Sequence, residues 1–509
     1  MGNRLAIIGI DSLDPQVILK HRKELPNFSK LIEASPTFIS KSVFPVDTIP
    51  AWASIYTGLH PGNHGFLYTY DIFDPNLSDL GKLDISRIKG RTFWDYASQK
   101  GYRTAVVYPM LMYPTWEVNG IMVSKSAFDR RIDWSRTEID IDVYPKHIKE
   151  KHKIPDKFMG LWGGFPGIKH LKEWAELGKE GLEKEKNIGL ELYKNDKWDL
   201  FFIYFSILDI IQHRLWRFFD ENDPTYCKNH LSKMILDYYK IFDGIVEEFI
   251  EIYPDVSLIV MSDHGHRSRP YKTVNLNEHL RRNGYLTSKG NKKAISKLRK
   301  TILEVANKLD LEQWLIKLVV KSQKLTKVSK SVYSSAGSID RSRSIAYLSN
   351  FAGIKSYPHG GIEINKDLVS VSDTEYEKVR GELIKSLPEL KTPNGEPLMK
   401  WVKRWEEFYP GEFTEEIYPD IVFELKEEYG VGWELYSNLF GKAYDHKVAS
   451  GGHGKDAVFL LKNVDKQVHK TEITLMDIAP TVLDLLGIKE KDDFEFDGQS
   501  IFRDEREEV

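Results

Sequence analysis

Three short, almost unbroken apolar runs constrain the fold of this chain more than any other feature: residues 5–10, 199–205 and 256–261. A strand with one wet face alternates polar and apolar residues, whereas a continuous run is the pattern of a strand buried on both faces of a parallel sheet. A helical pattern at 92–100 and a further apolar run at 103–107 continue an alternation of strand and helix. The expected class is therefore α/β, with a mostly parallel central sheet flanked by helices and interrupted by helical or cap insertions. In open sheets of this kind ligands bind at the carboxyl ends of the strands. Residues just beyond each run are the first candidates for function.

Those residues are chemically distinctive. The first run ends in Asp11. The second leads into Ser206-Ile207-Leu208-Asp209-Ile210-Ile211-Gln212-His213, where Asp209 and His213 lie four apart and share one face of a helix. The third ends in Ser262-Asp263-His264-Gly265-His266, an acid and an imidazole side by side next to a glycine that permits close backbone approach. This combination suits divalent metals that favour oxygen and nitrogen ligands. Late in the chain Ser450-Gly451-Gly452-His453-Gly454 bends the backbone around one histidine. His266 is read as a partner behind the ligands.

One hydroxyl stands out. Thr48 precedes Ile49-Pro50-Ala51-Trp52-Ala53-Ser54-Ile55-Tyr56-Thr57 and reads as a helix N-cap, followed by a proline and an apolar helical pattern. A helix N-terminus attracts anions through its free N–H groups and its dipole. A threonine there can cap, bind or attack.

At 509 residues with 41% hydrophobic and 29% charged residues, the chain has room for a large α/β core with insertions. It divides into core segments at 1–128, 191–287 and 341–509. The stretch 129–190, with Pro145, Pro155, Pro166 and the cluster Leu161-Trp162-Gly163-Gly164-Phe165, reads as a cap over the site. Segment 288–340 reads as a basic helical insertion; between 288 and 330 it holds 12 Lys/Arg against 3 acidic residues. Its basic face is either solvated or bound to a polyanion, in peripheral contact with anionic membrane or with a polyanionic substrate. A net charge of −3 carries no mark of a nucleic-acid binder. The single Cys227 removes disulfides and cysteine metal sites, and Arg4 leads straight into a strand without a secretory pattern. The expected location is cytoplasmic.

Taken together, Asp11, Asp209, His213, Asp263, His264 and His453 are six ligand-type residues, enough for two ions with three protein ligands each. Two such cations can clamp the attacking and leaving oxygens of a phosphoryl or sulfuryl centre, and a nearby hydroxyl can be activated to attack. Thr48 is the uncommitted nucleophile candidate.

The stretches IIGIDSLD, TIPAWASIYTGLHPGNHG, LDIIQH, VMSDHGHRSRPYKTVNLNEHLRRNGYL, SGGHGKDAVFLL and ITLMDIAPTVLDLLGI, spanning residues 7–488, together resemble the alkaline phosphatase superfamily. The likeness is to its type I phosphodiesterase/nucleotide pyrophosphatase branch and to the related phosphohydrolases and phosphomutases. The resemblance implies an alkaline phosphatase-like fold, with Thr48 as the nucleophile of a covalent phospho-threonine intermediate. It implies one metal on Asp11, Asp263, His264 and Thr48, and another on Asp209, His213 and His453. Zinc is the usual pair in the diesterase branch and manganese in the mutase branch; a threonine nucleophile points to the former. The implied substrate is a small-molecule phosphate ester, a phosphodiester or pyrophosphate such as a nucleotide or nucleotide-sugar. The alternatives are a phosphomutase, a phosphomonoesterase or a non-catalytic phosphate-binding module. Where nucleotide-cleaving relatives carry an Asn that reaches a phosphate oxygen, this chain has Thr69, expected to bind substrate through its hydroxyl.

Overall fold

A computed structural model describes residues 4–67, 84–126, 137–160, 167–289, 301, 304–305, 338–352, 356–369, 374–488 and 494–503. Thr69, the aromatic-glycine cluster at 161–165 and almost all of the basic segment at 288–330, with its expected membrane contact, lie outside them. Among the described residues, no helix is long and apolar enough to cross a membrane.

The three apolar runs form neighbouring strands. Leu5–Ile10 (β1) pairs in parallel with Leu200–Phe205 (β7) on one side and Ser257–Met261 (β8) on the other. Thr104–Val107 (β3) and Gly120–Lys125 (β4) extend the parallel series beyond β7. Antiparallel strands close both sides: Asp456–Lys462 (β18) and Ile39–Lys41 (β2) beyond β8, Thr137–Tyr144 (β5) and Lys157–Gly160 (β6) beyond β4. The result is a nine-stranded, mostly parallel sheet.

Side chains of the central strands alternate between two cores, as the two-residue period of a strand requires. Ala6, Ile8 and Ile10 of β1 and Phe201, Ile203 and Phe205 of β7 pack beneath helices Leu171–Lys194, Ile207–Phe219 and Met234–Ile252. Leu5, Ile7, Leu200, Phe202 and Tyr204 face helices Thr48–Thr57, Phe93–Gln99 and Ile478–Leu485. Each large apolar side chain buried this way contributes roughly 1.5–3 kcal/mol. Gly9 lets the Thr48 helix come close, since a Cβ there would lie 2.6 Å from the ring of Trp52. That contact fixes Thr48 beside the end of β1.

The chain between 129 and 190 differs from the cap expected of it. Its described strands β5 and β6 belong to the sheet edge, and its helix Leu171–Lys194 buries Leu171, Trp174, Ala175, Leu182 and Leu192 in the core. Antiparallel pairing of β5 with β4 and of β6 with β5 places this stretch in the sheet. After Gly58 the chain makes a short helix, Pro61–His64.

A second, smaller β region follows β8. Gly265–Ser268 (β9) pairs with Gly451–Gly454 (β17). Lys272–Asn275 (β10) lies between Tyr429–Gly432 (β15) and Phe440–Lys442 (β16). Ala346–Leu348 (β11), His359–Ile364 (β12), Ile421–Leu425 (β14) and Met399–Arg404 (β13) make a four-stranded antiparallel sheet in that spatial order.

Candidate metal centre

All six ligand-type residues singled out in the sequence come together at the carboxyl edge of the sheet, in two groups. Asp11, Asp263 and His264 form one, and Asp209, His213 and His453 the other; in each, the ligand atoms lie within 4.8 Å of one another. The rings of His264 and His453 stack with centroids 4.0 Å apart, so the groups adjoin.

In the first group β1 delivers Asp11 and β8 delivers Asp263 and His264. All three are buried. The His264 Nε2 atom lies 3.2 Å from Asp263 Oδ2 and 3.7 Å from Asp11 Oδ1. Each side chain is tied down at one atom. The Tyr204 hydroxyl donates to Asp11 Oδ2, the Ser12 N–H donates to Asp263 Oδ1 at 3.1 Å, and His264 Nδ1 lies 2.9 Å from the Gly265 carbonyl. The remaining carboxylate atoms, Asp11 Oδ1 and Asp263 Oδ2, are buried with no hydrogen-bond partner. Such orphans are costly in a protein interior unless a proton or cation meets them. Burial pushes the Asp263 carboxyl up to about 6, and burial with the repulsion of Asp263 and Asp209 raises Asp11 well above the usual range.

In the second group Asp209 and His213 project from helix Ile207–Phe219, one turn apart as their spacing requires, and β17 delivers His453. The Nδ1 atoms of His213 and His453 lie 2.8 Å and 2.9 Å from the carbonyls of Gly451 and Val46. Carbonyls only accept, so both Nδ1 atoms carry protons and both Nε2 atoms are left as lone-pair donors. Those two Nε2 atoms face each other at 3.0 Å, with Asp209 Oδ1 at 3.3 Å and 3.7 Å from them. Two lone pairs so close repel unless a cation lies between them. Burial acts to raise the Asp209 carboxyl, but His213, His453 and His264 outweigh it and hold it well below the ordinary range. The donor sets of both groups therefore fit divalent cations.

Thr48 differs in one respect from its sequence reading. The N-cap is Asp47, whose side chain accepts from the Ile49 N–H at 3.4 Å, and Thr48 is the first residue of the helix. An extended aspartate at the preceding position competes better for the cap. This frees the Thr48 hydroxyl, which is half-buried and lies 3.2 Å from His264 Nε2, beside the first group. His266 stays out of both groups; its Nδ1 atom contacts the Ser12 hydroxyl at 2.8 Å. Sequence reasoning missed Tyr204, Ser12 and the Gly451 carbonyl, which hydrogen-bond to Asp11, Asp263 and His213. Only Tyr204 left a signal there, as a polar-tipped ring inside an apolar strand.

A family described as type I phosphodiesterase/nucleotide pyrophosphatase matches residues 5–453. No curated protein sequence matches the chain. Among solved structures, phosphonoacetate hydrolase from Sinorhizobium meliloti 1021 in complex with phosphonoacetate is similar over 96% of this chain and 95% of that chain, with a TM-score of 0.52 at 12% identity. The same hydrolase with phosphonoformate gives 0.52 at 14% identity, with the same coverage. Murine ectonucleotide pyrophosphatase/phosphodiesterase 5, in an inactive form with AMP, covers 98% of this chain and 97% of its own at a TM-score of 0.49 and 13% identity. At such identities the likeness to the phosphonoacetate hydrolase speaks for the fold.

Proposed function

The chain belongs to the type I phosphodiesterase/nucleotide pyrophosphatase family, a family of metal-dependent phosphoester hydrolases, and from that premise we propose that it cleaves a phosphodiester or pyrophosphate bond of a small molecule through a phospho-threonine formed on Thr48. The observation that carries this reading is the Thr48 hydroxyl at 3.2 Å from His264 Nε2, at the rim of a group in which Asp11 Oδ1 and Asp263 Oδ2 lack hydrogen-bond partners.

In this reading Asp11, Asp263 and His264 hold one divalent cation and Asp209, His213 and His453 a second, zinc rather than manganese. When bound, the cations lower the pKa of a nearby hydroxyl and neutralise charge on the transferring phosphoryl group. Thr48 Oγ1 attacks phosphorus in line, the phosphorus–oxygen bond to the leaving group breaks, and the organic group departs. Water then displaces Thr48 from the phosphoryl group and regenerates the hydroxyl. The helix that begins at Thr48 directs the positive end of its dipole at the phosphoryl oxygens. Asp47 and the Trp52–Gly9 contact hold that helix in place, while Tyr204 and Ser12 hold Asp11 and Asp263. We further propose Thr69 as a contact to a phosphate oxygen of a nucleotide or nucleotide-sugar, and a cytoplasmic setting, supported by the single cysteine.

Acid quenching during turnover of bis-p-nitrophenyl phosphate by the zinc-loaded protein tests the proposal. A phosphorylated peptide containing Thr48 is the expected product. Unimpaired turnover by Thr48→Ala would overturn the nucleophile assignment, and isomerisation of a phosphomonoester without release of phosphate would move the protein to the mutases.

A further inference from the structure

The residue that follows Asp11 has an unusual backbone. Ser12 has φ +62° and is fully buried. The left-handed region disfavours residues with a Cβ and is natural to glycine, and strained residues of this kind gather at functional sites. The polar groups of Ser12 are all engaged, and between them they reach Asp263 of the first group and residues that neighbour the second. Its N–H donates to Asp263 Oδ1 at 3.1 Å, in the first group. Its carbonyl accepts from Gln212 Nε2 at 2.8 Å, next to the ligand His213. Its hydroxyl donates to the Gly265 carbonyl at 3.3 Å and meets His266 Nδ1 at 2.8 Å. With the hydroxyl proton directed at Gly265, Nδ1 is the donor and His266 is the Nδ1–H tautomer.

His266 in turn supports the second group. It is the register partner of His453 across β9 and β17. Its ring lies edge-on to His213 at 5.0 Å, with Trp216 at 4.8 Å. The space is closed on the remaining side, since a Cβ at Gly451 would stand 2.2 Å from His266 Nε2. A ring packed so tightly transmits its orientation to His213, and the hydrogen bond that its Nδ1–H donates to the Ser12 hydroxyl fixes that orientation.

We propose that Ser12 and His266 are a pair of positioning residues that couples the two metal groups, the serine being kept in a strained conformation because its hydroxyl holds the imidazole that backs His213 and His453. The inference rests on the two-metal reading above. It predicts a selective effect: loss of the hydroxyl leaves the N–H bond to Asp263 in place and loosens only the second group.

Zinc titration of the metal-stripped full-length protein by calorimetry, with Asp11→Asn and His213→Ala assigning the two binding events, tests the pair. Ser12→Ala is expected to keep the affinity of the first group and to weaken the second by about 10- to 100-fold, the usual cost of losing a residue that orients a ligand. Ser12→Gly lacks the hydroxyl but relieves the strained φ, so it should show the same selective loss without a lower melting temperature. His266→Leu should behave like Ser12→Ala, whereas His266→Asn, whose amide N–H can donate to the Ser12 hydroxyl, should recover most of the affinity. The proposal is overturned if Ser12→Ala and Ser12→Gly bind both equivalents as the wild type does, or if both events weaken equally and His266→Asn rescues neither. A wild-type protein that takes up fewer than two equivalents would overturn the two-metal reading itself; two equivalents in the wild type with unaltered variants would overturn the coupling alone.

Discussion

The two candidate ligand groups at the sheet edge offer the same number of side chains but pose opposite electrostatic problems. Asp11, Asp263 and His264 are fully enclosed and come from adjacent parallel strands, so the backbone allows little adjustment. Two carboxylates face one imidazole, and both are driven upward, to about 6 for Asp263. Asp209, His213 and His453 come from a helix and a glycine-rich strand, and two imidazoles face one carboxylate that is held low. Without a cation the first group crowds two carboxylates beside one imidazole, whereas the second crowds two imidazole Nε2 atoms around one carboxylate. Identical ligand counts therefore do not imply identical dependence on metal.

The largest effect separates chemistry from both groups. Thr48→Ala should reduce kcat by on the order of 10³-fold or more, as removal of a nucleophile does, while both zinc equivalents still bind the protein ligands. Calorimetry and steady-state assay of the same preparation check this. A variant that lost metal and kept its rate would reverse the roles given to Thr48 and to the ligands.

Next in size is a contrast between Asp263→Asn and Asp209→Asn. Both should lose metal and activity. In metal-free protein their melting temperatures should move in opposite directions. Asp263→Asn removes a buried charge repelled by Asp11 and keeps an oxygen for the Ser12 N–H, so it stabilises. Asp209→Asn removes the charge that His213 and His453 surround, so it destabilises. Shifts of the same sign would show that the groups are electrostatically alike.

The pH dependence sharpens the same contrast. The Asp263 carboxyl sits at about 6 in the folded chain against an ordinary 3.8, so between those values the folded state binds more protons than the unfolded one. Stability of the metal-free protein from this group falls as pH rises through that window. The depressed Asp209 acts in the other sense: its contribution is present above the ordinary value and is lost as pH falls toward its folded value. The melting-temperature gap between Asp263→Asn and wild type, without metal, should widen from pH 4 to pH 7. With zinc the sign reverses, because ligation needs deprotonated carboxylates, and occupancy of the first group should decline as pH drops below about 6. A zinc affinity that stays flat from pH 8 to pH 5 would contradict this assignment.

What the sequence disclosed follows from the range of the interactions involved. Strands β1, β7 and β8 were legible because burial on both faces leaves a purely local mark, and Asp11, Asp263 and His264 because they stand where such runs break. Asp209 and His213 were legible from one turn of helix. The edge strands β5 and β6 were missed although Ile139, Ile141 and Val143 alternate with Asp140 and Asp142, since their place in the sheet depends on β5 pairing with β4 and β6 with β5. The left-handed Ser12 and the carbonyls of Gly451 and Val46 were hidden for a related reason. A serine carries no mark of its φ, and every residue has a carbonyl; only the fold decides which of them meets a histidine.

The smallest predicted effect concerns the residue beside the proposed nucleophile. Asp47, not Thr48, caps the helix, through a long 3.4 Å bond to the Ile49 N–H. Asp47→Ala should therefore cost about 0.5–1 kcal/mol of stability, the lower part of the range for a lost cap, and Asp47→Asn, which keeps an accepting oxygen, close to nothing. Thr48→Ala should cost less than Asp47→Ala, because the Thr48 hydroxyl faces His264 rather than the helix amides. Urea unfolding of the three metal-free variants checks the order. If Thr48→Ala were the more costly change, the hydroxyl would be engaged in capping and less free to attack. If the predicted order holds, adjacent residues divide the two tasks: Asp47 satisfies the helix end, and Thr48 is left half-buried with its oxygen at the metal groups. Trp52 packed on Gly9 still anchors the helix when the cap is removed, so Asp47→Ala should change kcat far less than any substitution in either ligand group.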